Sequence, residues 1–175
     1  MAVSEAGKRR PPRPDERVER QVARVVLIDR LGAVLLISAR DPRRPGGPEV
    51  WFTPGGGAEP GETLESAARR EVLEETGAVL SEVGAPVCRS ESEFWFEDRY
   101  FVQHECYFLV RTERFDVCPT ALTDLETRAT TGWRWWPAAE LATTSAQVYP
   151  ATFPALLAEW TGSSDGGARR RLGSG

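Results

Sequence analysis

Glu71, Glu74 and Glu75 fall within one short segment whose apolar residues recur at helical spacing. Side chains three and four apart are neighbours on a helix, so the three carboxylates share one face. Carboxylates this close repel one another and resist ionisation unless a cation sits among them. Oxygen-only ligands favour a hard divalent ion, and Mg2+ in particular is usually held by a few carboxylates together with substrate phosphate oxygens and waters. Arg70 stands just outside the acidic arc, where it can orient Glu71 or pair on the surface.

The elements that must position these groups are legible on either side. Leu64, Ala67 and Ala68 form the inward stripe of the same helix, and that stripe runs directly into the glutamates. An apolar stripe that turns acidic points to the wall of a cleft rather than to a solvated face. Thr63 is placed to cap the helix at its start, and Gly77 to stop it. Ahead of the helix, the short apolar strand Val50-Trp51-Phe52 leads through Pro54 into Gly55-Gly56-Gly57, a turn whose backbone can approach a metal or phosphate closely.

A second carboxylate-bearing element is predicted further on. Val87 to Phe96 and Tyr100 to Arg111 read as a hairpin about Glu97-Asp98-Arg99. Alternation along its second strand puts Gln103 and Glu105 on the face of Phe101, Tyr107 and Leu109. A carboxylate among apolar neighbours needs a partner, so Glu105 is either a ligand from outside the helix or a hydrogen-bonded structural group. His104, the one histidine, lies on the opposite strand face, where an exposed or core-edge role is expected.

Around these elements, Val22 to Ile28 and Ala33 to Ile37 read as a hairpin turning at Asp29 to Gly32. Residues 41–48 form a Pro/Gly-rich loop, and residues 112–131 a loop or short helix. Trp133 to Trp136 read as a strand, Pro137 to Leu141 as a helical turn, and Ala151 to Trp160 as a last helix. Residues 1–17 and 161–175 have the composition of disordered tails, leaving one domain over 18–160.

The chain has 175 residues, 41% of them hydrophobic, which suffices for one ordinary core. Its net charge is −4, and because both ends are basic the middle is more acidic still. A nucleic-acid surface as the main partner is therefore disfavoured. Cys88, Cys106 and Cys118 show neither disulfide nor zinc spacing and read as reduced buried thiols. Prolines follow the early Lys8-Arg9-Arg10 where a signal peptide would need an apolar segment, and no apolar run reaches membrane-spanning length. A cytoplasmic protein is expected.

The spacing of Gly56, Glu62, Arg70-Glu71, Val72, Glu74-Glu75 and Gly77 resembles the Nudix box, and the order of elements over about 18–160 is similar to the Nudix hydrolase family. The resemblance implies an α/β fold, an α/β/α sandwich with a mixed β-sheet between helices. It also implies hydrolysis of a nucleoside diphosphate linked to another group, with Mg2+ or Mn2+, on a small-molecule nucleotide substrate. By the same resemblance, Glu71, Glu74 and Glu75 hold metal with the Gly56 carbonyl, Arg70 orients the glutamates, and Glu62 ties the loop to the helix. Ala78 departs from the usual larger aliphatic residue.

The general base varies within that family. Glu71 or Glu75 could activate water, Glu105 could act from the neighbouring strand, or Glu126 could swing in from its loop, as a loop glutamate does in related ADP-ribose hydrolases. The helix is favoured here, with Glu105 as an extra ligand. Trp95 is a candidate to stack on a nucleobase, and Arg99 and Arg134 to meet phosphate, although strand aromatics more often belong to the core. Exposed strands and aromatics could also serve a homodimer. The runner-up function is a catalytically silent nucleotide-binding sensor on the same fold.

Overall fold

The first aliphatic run folds back at Asp29, a residue that builds its own turn. Its Oδ1 accepts from the amides of Leu31 (2.9 Å) and Ala33 (2.8 Å), and its Oδ2 from Arg114 Nε (2.8 Å). Burial works against the Asp29 charge, but these donors outweigh it and hold the carboxyl below its ordinary pKa. The structure, a computed structural model, describes residues 12–13, 16–44, 46–96, 99–162 and 170–171.

In chain order the elements are β1 (Arg17–Ile28), β2 (Ala33–Ala39), β3 (Val50–Phe52), α1 (Leu64–Thr76), β4 (Pro86–Phe96), β5 (Arg99–Arg111), α2 (Asp124–Ala129), β6 (Thr130–Pro137), α3 (Ala138–Thr143), β7 (Gln147–Val148), α4 (Phe153–Gly162) and β8 (Arg170–Arg171). One mixed sheet runs β7-β3-β2-β1-β5-β4-β8, with β6 also paired to β2. The central contact is parallel: β1 lies beside β5 in a register from Arg17↔Tyr100 to Ile28↔Arg111. This explains why β1 begins five residues before the aliphatic run that marks it in the sequence. Its polar first half is held by ladder hydrogen bonds, which do not depend on side-chain type.

The two sheet faces bury separate cores. Val25, Leu27, Leu35, Cys106 and Phe108 pack against Ala67, Ala68 and Val72 of α1. Val26, Ile28, Val34, Leu36 and Tyr107 pack against Leu141 of α3 and Phe153 and Leu157 of α4. The expected sandwich of a mixed sheet between helices is what forms. Trp133 and Trp135 join the first core and Trp136 the second, as alternation requires.

One expectation changes. Cys88 and Cys106 are buried free thiols, but Cys118 is exposed, because it lies on the loop that crosses the end of α1. The expected turn residues Glu97 and Asp98 lie outside the described residues, as do 1–11, 14–15, 163–169 and 172–175 of the expected tails. Arg170–Arg171 pair in parallel with Cys88 and Arg89 of β4. Among the described residues, no helix is long and apolar enough to cross a membrane.

Candidate active site

Helix α1 begins and ends where its sequence says it should. Thr63 Oγ1 accepts from the Ser66 amide (3.2 Å), and Gly77 adopts φ 78° while its amide bonds the Leu73 carbonyl. Between these caps the buried stripe of Ala67, Ala68 and Val72 continues into Glu71 and Glu75, which are 7% and 6% exposed. Glu74 sits further round the helix, with its side chain 32% exposed at the rim.

Arg70 organises this face. A guanidinium has five N–H donors, and here five acceptors meet them. Nε and Nη2 grip Glu62 (3.0 and 2.9 Å), and Nη2 also reaches the Gly57 carbonyl (2.9 Å). Nη1 donates to Glu71 Oε1 (2.7 Å) and Glu74 Oε2 (3.1 Å). Glu62 in turn accepts from the Glu59 amide (2.9 Å), so it joins the turn to the helix through Arg70. The hydrogen bonds to Glu62 lead the causes that raise the Arg70 pKa above its ordinary value.

The glycine turn lies flat on β1. Val25 N donates to Pro54 O (2.8 Å), Ala23 N to Gly56 O (2.9 Å) and Ala58 N to Gln21 O (2.9 Å). Gly55 adopts φ 134°, and a Cβ there would stand 2.0 Å from the Ala23 carbonyl oxygen. A Cβ at Gly56 would stand 2.4 Å from Glu71 Oε1. The turn thus needs glycine twice, once against the strand and once against a carboxylate. It also supplies an amide: Gly55 N donates to Glu75 Oε2 (2.7 Å).

A third carboxylate arrives from α2. The last carbonyls of a helix lack partners within it, and in α1 the following loop provides them. Thr120 donates to Leu73 O and Glu74 O, and Cys118 N to Thr76 O. That strap leads into α2, whose capping box joins Thr123 and Glu126, with Thr123 N and Oγ1 each 2.8 Å from Glu126 Oε2. Ligand oxygens of Glu71, Glu75 and Glu126 all lie within 4.8 Å of one another.

The cluster is electrostatically unsettled. Burial pushes the Glu75 carboxyl up to about 8, with Glu71 and Glu126 adding to the shift while the Gly55 amide and Arg24 oppose it. Burial also raises Glu71, against the pull of Arg70. Each carboxylate is anchored through one oxygen, to Arg70, Gly55 or Thr123, and among the described residues no donor reaches the other oxygen. Three converging carboxylates, two buried and one partly exposed, each with an oxygen left without a donor, fit a hard divalent cation.

Of the remaining expected site residues, Gly56 lies beside the cluster, where a Cβ would meet the Glu71 carboxylate, and the others have partners of their own. Glu105 is on the sheet face away from α1, where Oε1 accepts from Arg24 Nε (3.2 Å). Its Oε2 accepts from Ser90 (2.8 Å), Tyr107 (3.1 Å) and Tyr149 (3.4 Å). The Gly56 carbonyl takes part in the β1 pairing. Trp95 packs edge-on to Tyr100 at 5.3 Å, and Arg99 lies over the Phe101 ring. Arg134 Nη2 donates to both oxygens of Glu140 (2.7 and 2.8 Å), and its guanidinium stacks on Trp136, on the α3 side. His104 is at the surface, between Glu19 and Glu91.

Arg24 is the buried polar residue that the sequence pattern passes over, although a lone arginine inside the aliphatic run Val22 to Ile28 is itself a signal. Burial opposes its charge, but Glu105, then Tyr107 and Glu75, more than restore it, and its pKa is raised. Arg20, four residues earlier on the same strand face, has its pKa lowered by burial and by Arg24. With the Gln103 amide oxygen facing Arg20 Nε (2.9 Å), its nitrogen donates to Glu105 (3.2 Å).

The sequence profile of the NUDIX domain matches residues 18–156. An RNA pyrophosphohydrolase of Roseobacter denitrificans is 35% identical over 114 residues, 57% of this chain and 67% of the relative. A Bacillus subtilis protein named for 8-oxo-dGTP diphosphatase activity is 34% identical over 82 residues, 43% of this chain and 51% of the relative. The chain therefore spans between about half and two thirds of these relatives' lengths. The crystal structure of an ADP-ribose pyrophosphatase from Streptococcus suis superposes with a TM-score of 0.59 at 14% identity, covering 87% of this chain and 98% of that one, a likeness of fold.

Proposed function

The chain belongs to the NUDIX domain family, and on that premise we propose that it hydrolyses a phosphoanhydride bond in a nucleoside di- or triphosphate derivative, using a divalent cation. The observation that carries this reading is the convergence of Glu71, Glu75 and Glu126 within 4.8 Å. The relatives support the bond type, since the names of both describe cleavage of a pyrophosphate or diphosphate group.

Glu71 and Glu75 would hold the cation, with Glu74 at the rim and Arg70 fixing the directions of Glu71 and Glu74. When bound, Mg2+ or Mn2+ would neutralise phosphate oxygens next to these carboxylates and make a bound water more acidic. Glu126 is mounted on a separate helix, is partly exposed, and is held through only one oxygen. It is the carboxylate best placed to accept the proton of the attacking water and release it to solvent. Glu105, expected as an extra ligand, lies on the other sheet face and is bonded to four side chains there, so it has no part in this reading, and the base, expected on α1, is assigned instead to Glu126 of α2.

The test is a substrate panel of NDP-sugars, ADP-ribose, NADH, dinucleoside polyphosphates, NTPs and 5′-triphosphorylated oligonucleotide, with Mg2+ or Mn2+. Turnover of at least one member, abolished in Glu75→Gln, is expected. Tight ligand binding with no turnover on either metal would instead identify a silent sensor.

A further inference from the structure

Glu105 and Arg24 form a buried ion pair that no step of the proposed hydrolysis uses. Their side chains are 0% and 11% exposed. Such pairs are poor sources of stability, because desolvation offsets their attraction and apolar replacements often do as well. Here the pair also leads somewhere. Arg24 Nη1 donates to the Gly55 carbonyl (3.1 Å), and the amide of the same glycine donates to Glu75 Oε2 (2.7 Å).

One residue of the glycine turn thus joins a carboxylate on one face of the sheet to a carboxylate on the other. Its neighbours are fixed to β1 through Pro54 O and Gly56 O. Gly55, at φ 134°, has wide conformational freedom of its own, so its setting depends on what holds its two ends. Arg24 suits the task because its planar fork reaches Glu105 and Gly55 together. Ser90, Tyr107 and Tyr149 immobilise Glu105 behind it.

We propose that Glu105 is a positioning residue for the site across the sheet: it holds Arg24 against the Gly55 carbonyl, and so sets the Gly55 amide that aims Glu75. The inference rests on Glu75 belonging to the hydrolytic site.

The test uses the full-length, metal-free protein and reads Gly55 amide hydrogen exchange by NMR, with Leu27 and Phe108 amides as reference. Steady-state kinetics with metal complete it. In Glu105→Gln, Gly55 should exchange at least about tenfold faster relative to the reference amides, and kcat should fall about 10- to 100-fold with KM within about threefold, in the range for lost supporting hydrogen bonds. Arg24→Lys, which keeps the charge but not the fork, should do the same. Ser90→Ala should shift both readouts less, in the same direction. The proposal is overturned if Gly55 exchange merely follows Leu27 and Phe108, or if Arg24→Lys leaves Gly55 protection and kcat unchanged. Should Glu105→Gln fail to fold, the other two variants decide. Should the wild type hydrolyse nothing, the exchange data still decide the relay, and only the proposed reaction fails.

Discussion

Arg70 grips Glu62 through two near-parallel hydrogen bonds of 3.0 and 2.9 Å, and that grip leaves Nη1 facing Glu71 and Glu74. A lysine at position 70 keeps one charge but cannot make the fork. Arg70→Lys should lower divalent-ion affinity or kcat about 10- to 100-fold, the usual cost of removing a group that orients ligands. Mn2+ titration and steady-state kinetics check this, and wild-type values in both would refute the orienting role.

The two glycines of the turn should fail differently. Gly56→Ala pushes against the Glu71 carboxylate, the end of a flexible side chain, so the fold should lose less than about 1 kcal/mol while activity falls at least about 100-fold. Gly55→Ala meets backbone at a strained φ and should cost several kcal/mol of stability. Thermal melts beside activity assays separate the two. Equal stability losses would contradict the contact geometry.

Much of α1 was readable in advance because its signals are local. Thr63, Gly77 and the register from Ala67 to Glu75 all act within the helix itself. Alternation likewise put Glu105 on its actual face with Gln103 and Tyr107, and required a partner for it. The partner was not readable, since Arg24 lies 81 residues away and is brought there by parallel pairing of β1 with β5. The arrival of Glu126 was legible only as an option. The strap that delivers it is held to α1 largely by main-chain groups and one threonine, which leave little pattern in the sequence.

Metal-free protein should lose stability as pH rises. Glu75 titrates near its ordinary 4.5 when unfolded and near 8 when folded, so between these values the native state binds the extra proton. Stability then falls with increasing pH, by an amount on the order of a few kcal/mol across that window. Urea melts in EDTA at several pH values should show the decline, and Glu75→Gln should flatten it. A stability that rises from pH 5 to 8 in both proteins would exclude the buried, raised carboxyl.

Glu126→Gln should separate proton transfer from cation binding. The amide can still occupy the capping box but cannot take a proton from water, so kcat should drop about 10²- to 10⁴-fold. Mn2+ affinity should change much less than in Glu71→Gln. An activity within a fewfold of wild type would return the base to α1.

Glu71, Glu75 and Glu126 together form the proposed cation-dependent hydrolytic site, and Mn2+ binding measured beside hydrolysis is its most direct test. The wild type should bind Mn2+ and turn over at least one phosphoanhydride of the panel. Glu75→Gln should lose both while keeping a cooperative melt. Full hydrolysis by a folded Glu75→Gln variant would rule this site out.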